Sequence, residues 1–270
     1  PFIIAKHNRY FEEEEIDIKI EHFKSAADRD AAFQTNNIDG MFSDILSAIF
    51  LKDSGLDAQI TSKTDGLYKL ILSSQSSISE LSEIKSGTIG ISKNTIIEYI
   101  TDQMLVTAPE ASFEKIIIPN IPTRLEMLKN NKLDMATLPE PLASAAIIEG
   151  GKPLIDSKQV NINPGVMLFS QDSVTNKGGT IKKFYNAYNK AVEYIQTNPP
   201  SAYIDTLIIE AGFPEIVKNS LTLPIYQKAT MPTEQELQDV LYWMRFNGLT
   251  NSDYTLKELA EHRFIKTSEH

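Results

Sequence analysis

The chain has no cysteine, which removes disulfides, zinc-thiolate centres, iron-sulfur clusters and thiol nucleophiles together. The compartment stays open, because a cysteine-free protein suits an oxidising exterior as well as a reducing interior. Positive charge is in short supply: 26 Lys and Arg stand against 36 Asp and Glu, for a net charge of -10 and a pI near 5.0. Such a surface repels phosphate backbones and anionic membranes at long range, so no nucleic-acid partner is expected. No apolar run approaches the roughly 18 residues of a membrane-spanning helix. The opening PFIIAKHNRYF has neither a basic start nor a small-residue cleavage site, so any targeting segment is expected ahead of it.

Chemistry-bearing motifs are equally scarce. The four histidines, His7, His22, His262 and His270, are far apart and none belongs to a His-Glu-x-x-His pair, so no metal site is expected. The stretch SGTIGIS lacks the spacing of a phosphate-binding glycine loop, and no serine stands in a Gly-x-Ser-x-Gly elbow. The sequence thus offers neither a catalytic residue nor a cofactor site. The run FEEEE (Phe11 to Glu15) reads as a solvated helix end.

What the chain does contain is 270 residues, 41% hydrophobic and 23% charged, the profile of a folded protein with two moderate domains or one large one. It also contains a repeat. RDAAFQTNNID (Arg29 to Asp39) aligns with RLEMLKNNKLD (Arg124 to Asp134), pairing Arg29 with Arg124, Asn36 with Asn131 and Asp39 with Asp134. Each copy reads as a helix that stops at Asn, a residue tolerant of the left-handed conformation, followed by a short strand. Each is preceded by a strand, IDIKIEHF (Ile16 to Phe23) or EKIIIP (Glu114 to Pro119), and before that by a helix, IIAKHNRYF or TIIEYITDQML. The second copy opens with a further strand, GTIGIS, whereas the first starts at Pro1. A helix on a parallel sheet needs the strand that feeds it, so a first strand is expected ahead of Pro1, beside Ile16 to Phe23.

Two such halves predict two α/β lobes joined by two crossing segments, Gly66 to Gln75 and Pro164 to Asp172. The expected division is lobe I at 1–72, lobe II at 73–170 and a mostly helical return to lobe I at 171–270. The return includes an apolar helix through Ile181, Phe184, Tyr185, Tyr188 and Val192, and another capped by Thr233 and Glu236.

Sheets of this kind bind ligands at the carboxyl ends of their strands, where Asp44 and Glu140 stand in matching positions. Either acid could accept from an N–H or O–H of a ligand; either could equally cap the helix that follows. Ser43 precedes Asp44 at the same strand end. In SKNTII the amides of Asn94, Thr95 and Ile96 form a seat for an oxyanion, or an ordinary helix cap. Ser25 and Asn120 occupy matching loops and could face the cleft. Thr64 lies just before the first crossing, beside Asp65, which is expected in a turn.

The order PFIIAKHNRYFEEEEIDIKIEHFKSAADRDAAFQTNNIDGMFSDI, followed by ISELSEIKSGTIGIS, KNNKLDMATLPEPLASA and LYWMRFNGL, resembles the type II substrate-binding proteins of ABC importers. The branch is the one shared by nitrate, sulfonate, taurine and thiamine-pyrimidine-precursor binders. The resemblance implies a two-lobed type II periplasmic-binding-protein fold and a monomeric, extracytoplasmic receptor, often lipid-anchored, that hands a small solute to a membrane permease. The chain departs from the pattern at Asn8-Arg9 and Asn37, where Gly is common, and SKNT lacks the Gly-Ser of sulfonate binders. With one acid expected on each jaw, the ligand expected is rich in N–H donors, an aminopyrimidine, with taurine or a sulfonate as the other choice. The rival of the same fold is an enzyme related to thiamine-pyrimidine synthase, whose cysteine-rich motif this chain lacks. The effector domain of LysR-type regulators, also of this fold, sits poorly with the acidic charge.

Overall fold

A computed structural model describes residues 1–78 and 80–265; His270 lies outside them. The strands are β1 (Gly40–Asp44), β2 (Ala58–Lys63), β3 (Tyr68–Leu72), β4 (Ser86–Ile91), β5 (Ser112–Ile117), β6 (Met135–Pro139), β7 (Lys152–Asp156) and β8 (Gly165–Ser170). They form two separate sheets, ordered β1-β8-β2 and β5-β4-β6-β3-β7. The first is antiparallel, with Gly40 opposite Phe169 and Asp44 opposite Gly165. In the second, β4 lies between β5 and β6 and parallel to both, while β3 runs antiparallel to β6 and β7.

The repeat is real in three dimensions. Helices Ala26–Gln34 and Ile121–Lys129 occupy matching places, and Asn36 (φ 58) and Asn131 (φ 54) stop them in the left-handed conformation. Their N-caps match as well: Ser25 accepts from the Asp28 amide and Asn120 from the Thr123 amide. β1 and β6 follow, each running into another helix, Ile45–Asp53 or Leu142–Ile148.

Three expectations need correction. The opening helix is two pieces, Phe2–His7 and Tyr10–Glu13, because Arg9 adopts φ 61. Ile16 to Phe23 is extended, and its exposure alternates between half-buried Ile16, Ile18 and Ile20 and exposed Asp17, Lys19 and Glu21, yet it forms no ladder among the described residues. Alternation is a local property; a strand also needs a neighbour's edge at ladder distance. Finally, the crossings are themselves sheet members: β3 sits inside the second sheet and β8 is the centre of the first. The chain passes from the first sheet to the second over 64–67 and back over 157–164.

The return segment does more than cover lobe I. Helix Gly178–Thr197 does pack there, burying Phe184, Tyr185 and Tyr188 on the cluster of Phe2, Phe11 and Phe169. Val217, however, is fully buried among Leu125, Leu138 and Ala143 of lobe II. Helix Glu234–Phe246, held by its Thr233/Glu236 capping box, places the single tryptophan, Trp243, against lobe II. The Trp243 indole N–H donates to Asp102 (3.1 Å), and its ring meets Tyr99 edge-on at 5.5 Å.

Candidate functional site

A cavity of about 880 Å³ opens between the lobes, large for a small-molecule site. Its polar end is built by strand-end loops from both lobes. Lobe I supplies Ser25 and Arg29; Tyr68 enters where the chain crosses; lobe II supplies Ser92, Thr95 and Ile96. Tyr226, from the return segment, completes this wall.

The donors here are fixed by local structure. Ser25 donates its hydroxyl to Asp28 (2.7 Å) while capping its helix. Arg29, one turn further on, is held by Asp30 at 2.7 Å and donates to Ser47 (3.2 Å), with Asp44 at 3.9 Å. Thr95 caps helix Ile96–Leu105, accepting from the Ile97 amide (3.2 Å) and donating to the Ser92 carbonyl (2.8 Å). The Tyr68 hydroxyl is pushed well above its ordinary value by burial and by nearby Asp44, so it stays protonated and can donate. Burial and Asp65 act the same way on Tyr226.

Of the sequence-derived candidates, Ser25, Thr95 and Ile96 meet at this cavity; the other six are not in its lining. Asn94 turns outward in the left-handed conformation (φ 57), and its amide is taken by Glu98 at 2.6 Å. Asn120 spends its side chain on Thr123 (3.0 Å to the amide). The Thr64 carbonyl and amide are bonded to Asn163 and Gly165. The Ser43 hydroxyl is buried without a hydrogen-bond partner among the described residues.

The two acids serve the fold. Asp44 is buried and caps helix Ile45–Asp53, accepting from the Ser47 amide at 2.9 Å. Glu140 accepts from the Ser144 amide (3.1 Å) and pairs with Lys69 at 2.6 Å, with side-chain exposures of only 4% and 11%. Arg29, Tyr68, Ser92 and Tyr226 were not singled out as contacts. Arg29 had one legible signal, its place one turn after the Ser25 cap.

Beneath the lobe II wall lies Arg124, the repeat's counterpart of Arg29, with no exposed surface. It donates to the Ile118 carbonyl (2.8 Å), the Thr137 carbonyl (2.9 Å) and the Ser92 hydroxyl. Gly90 makes room for it, because a Cβ there would stand 3.0 Å from the Arg124 side chain and 2.6 Å from Leu133. Burial pulls the Arg124 pKa down to about 10, so it remains charged at neutral pH.

Burial also raises the Asp44 pKa from its ordinary value, outweighing Arg29 and the Ser47 amide. A raised folded value means the folded state holds the proton more tightly than the unfolded chain. The associated stability is present at low pH and is lost as pH rises through the folded value. Asp44→Asn keeps the capping oxygen without the charge. It is expected to melt above the wild type at pH 7.5, the gap closing as pH falls into the ordinary carboxylate range. Thermal melts across that range check it; a variant less stable at pH 7.5 contradicts it.

The family profile described as NMT1/THI5-like matches residues 1–202. Among curated proteins none matches the sequence. Among solved structures, the alkanesulfonate-binding protein SsuA from Xanthomonas axonopodis pv. citri bound to MOPS is similar, with 16% identity, a TM-score of 0.79 and coverage of 96% of this chain and 93% of that one. The periplasmic aliphatic sulphonate binding protein SsuA from Escherichia coli gives 16%, 0.76, 96% and 88%. The ligand-binding component of an ABC-type import system from Staphylococcus aureus, with zinc bound, gives 13%, 0.74, 97% and 94%. A desulfurization enzyme, DSZB, shares the fold at 14% identity and a TM-score of 0.68, covering 97% of this chain and 93% of its own. At such identities the likeness speaks for the fold alone, a periplasmic-binding-protein architecture. With three-quarters of its length inside one family profile and this two-lobed fold throughout, the chain belongs to the NMT1/THI5-like family.

Proposed function

We propose that this protein is the solute-binding receptor of an ABC importer, acting outside the cytoplasm as a monomer and catalysing no reaction. It closes its lobes on a small organic solute with an acidic or strongly accepting head group and presents it to a membrane permease. The observation that carries this reading is one cavity whose polar end is shared between Ser25 and Arg29 on one jaw and Ser92, Thr95 and Ile96 on the other. Contacts to the second jaw are gained only when the lobes close, so a ligand that uses both shifts the population toward closure. Turning a 1:99 equilibrium into 99:1 takes about 5.5 kcal/mol, within reach of a few charge-assisted hydrogen bonds.

The head group follows from the donors. With Asp44 and Glu140 engaged inside the fold, the case for an N–H-rich ligand loses its premise, while a guanidinium, hydroxyls and a helix start favour an oxyanion. The sulfonate binders of like fold are in keeping with that. A second reading, an aminopyrimidine, is favoured by the rings of Tyr68 and Tyr226 in the same wall.

Thermal shift against taurine, alkanesulfonates, small carboxylates, nitrate and aminopyrimidines tests this directly. A sulfonate or carboxylate at 100 times its Kd is expected to stabilise by about 2.7 kcal/mol. A response to aminopyrimidines alone moves the assignment to the second reading. Turnover of any compound by the pure protein replaces the receptor with an enzyme.

A further inference from the structure

The passages at 64–67 and 157–164 are joined by a link of another kind. From Gly212 to Gln227 the return segment leaves lobe I, enters lobe II and comes back, and each stage is fixed by contacts of its own. It departs from helix Ile204–Ala211, whose Leu207 lies in the lobe I cluster with Phe2 and Phe184; Gly212 ends that helix in the left-handed conformation (φ 68). Val217 then sits in the lobe II core with no exposed surface, and its turn, Glu215–Val217, packs on helix Leu142–Ile148. Phe213 and Leu221, on either side of it, each touch the apolar clusters of both lobes. The segment is back on lobe I at its end. The Tyr226 carbonyl accepts from Gln196 (2.8 Å), the Gln227 amide donates to Asp65 (2.7 Å) and the Gln227 carbonyl accepts from Tyr188 (3.1 Å).

A connecting loop belongs on the surface, where water serves its backbone; this one carries an apolar side chain into the core of the other lobe. We propose that residues 212–227 form a strap plugged into lobe II by Val217, which resists opening of the lobes and slows release of a bound solute. The leash is short: residues 213–217 reach at most about 18 Å when fully extended. Once that slack is used, the lobes part further only by drawing Val217 into water, so the plug opposes opening with or without a solute. Val217 is also a positioning residue for the site, because Tyr226, which completes the polar wall of the cavity, lies on the same strap between the plug and the lobe I anchor. The part concerning solute release rests on the receptor reading of the cavity; the link between lobes does not.

Two changes to the 270-residue chain test this in opposite directions. Val217→Ser weakens the plug. Ser144→Cys with Thr222→Cys, in a chain that has no other cysteine, ties the strap to lobe II, since the Thr222 amide stands 3.5 Å from the Ser144 hydroxyl. In the solute-free protein, Val217→Ser is expected to raise amide exchange over 213–226 roughly tenfold and to enlarge the radius of gyration; oxidising the cysteine pair in the same chain reverses both. The pair in an otherwise unaltered chain keeps the test open where Val217→Ser folds poorly: its oxidation is expected to shrink the solute-free radius of gyration below that of the reduced form. Butanesulfonate and taurine serve as solute probes, and whichever binds is expected to leave Val217→Ser about tenfold faster than wild type and the oxidised pair more slowly. Faster exchange at an unchanged radius makes the strap a cover for lobe II and overturns the proposal, as does failure of the pair to cross-link. An unchanged release rate overturns the role in retention. A radius that responds while neither probe nor any compound of the thermal screen binds counts against the receptor reading and leaves the link between lobes standing.

Discussion

Arg124→Met is expected to cost about 3 kcal/mol of folding stability, a large loss for one substitution. Methionine fills most of the aliphatic volume, so the loss is not chiefly a void. It comes from the acceptors left behind: the carbonyls of Ile118 and Thr137 and the hydroxyl of Ser92 lose their donor in a site closed to water. One term opposes this. Arg124 has no carboxylate within ion-pair distance among the described residues, so removing it also relieves a buried charge. The hydrogen bonds win because the guanidinium satisfies three acceptors at once, which explains why a cation is kept there. Arg124→Lys, with charge but no fork, falls between the two. Urea unfolding measures both; a loss below about 1 kcal/mol for the methionine variant contradicts the argument.

Glu140→Gln is expected to cost as much or more, about 3–5 kcal/mol, because it strands the Lys69 ammonium in a nearly dry site. The double substitution Lys69→Met with Glu140→Gln recovers much of that loss, since a neutral pair has no charge to desolvate. This cycle separates the two roles open to Glu140 from sequence. A residue whose job is the ion pair shows a stability loss that its partner's removal repairs. A residue that grips ligand shows weakened binding on an unchanged fold. Denaturant unfolding of the four proteins decides, and additive single-variant losses contradict the pair.

The repeat was the most legible feature because it is written in conformational necessities. Asn36 and Asn131 end their helices with positive φ, and Ser25 and Asn120 begin them, so local chemistry alone places both units. The strand-end rule then led to Ser25, Thr95 and Ile96 at the cavity. At Asp44 and Glu140 the spacing that puts an acid beyond a strand also puts it on the first amides of the next helix. Those amides lie 2.9 and 3.1 Å away. Asn94 was lost to a single left-handed residue. Tyr68 carried no local mark of a cleft and Arg29 only its place one turn after the Ser25 cap, since their exposure there depends on how two lobes meet. Why Ile16 to Phe23 joins no ladder among the described residues is likewise non-local: alternation is visible in one segment, the absence of a neighbour is not.

In the proposed receptor two lobes grip a solute between them. Small-angle X-ray scattering of the protein, free and saturated with the best compound from the thermal screen, tests it most directly. The account predicts a smaller radius of gyration in the saturated sample, with one unchanged solute recovered per chain. A bound solute that leaves the radius of gyration unaltered, or that is recovered as a different compound, contradicts it.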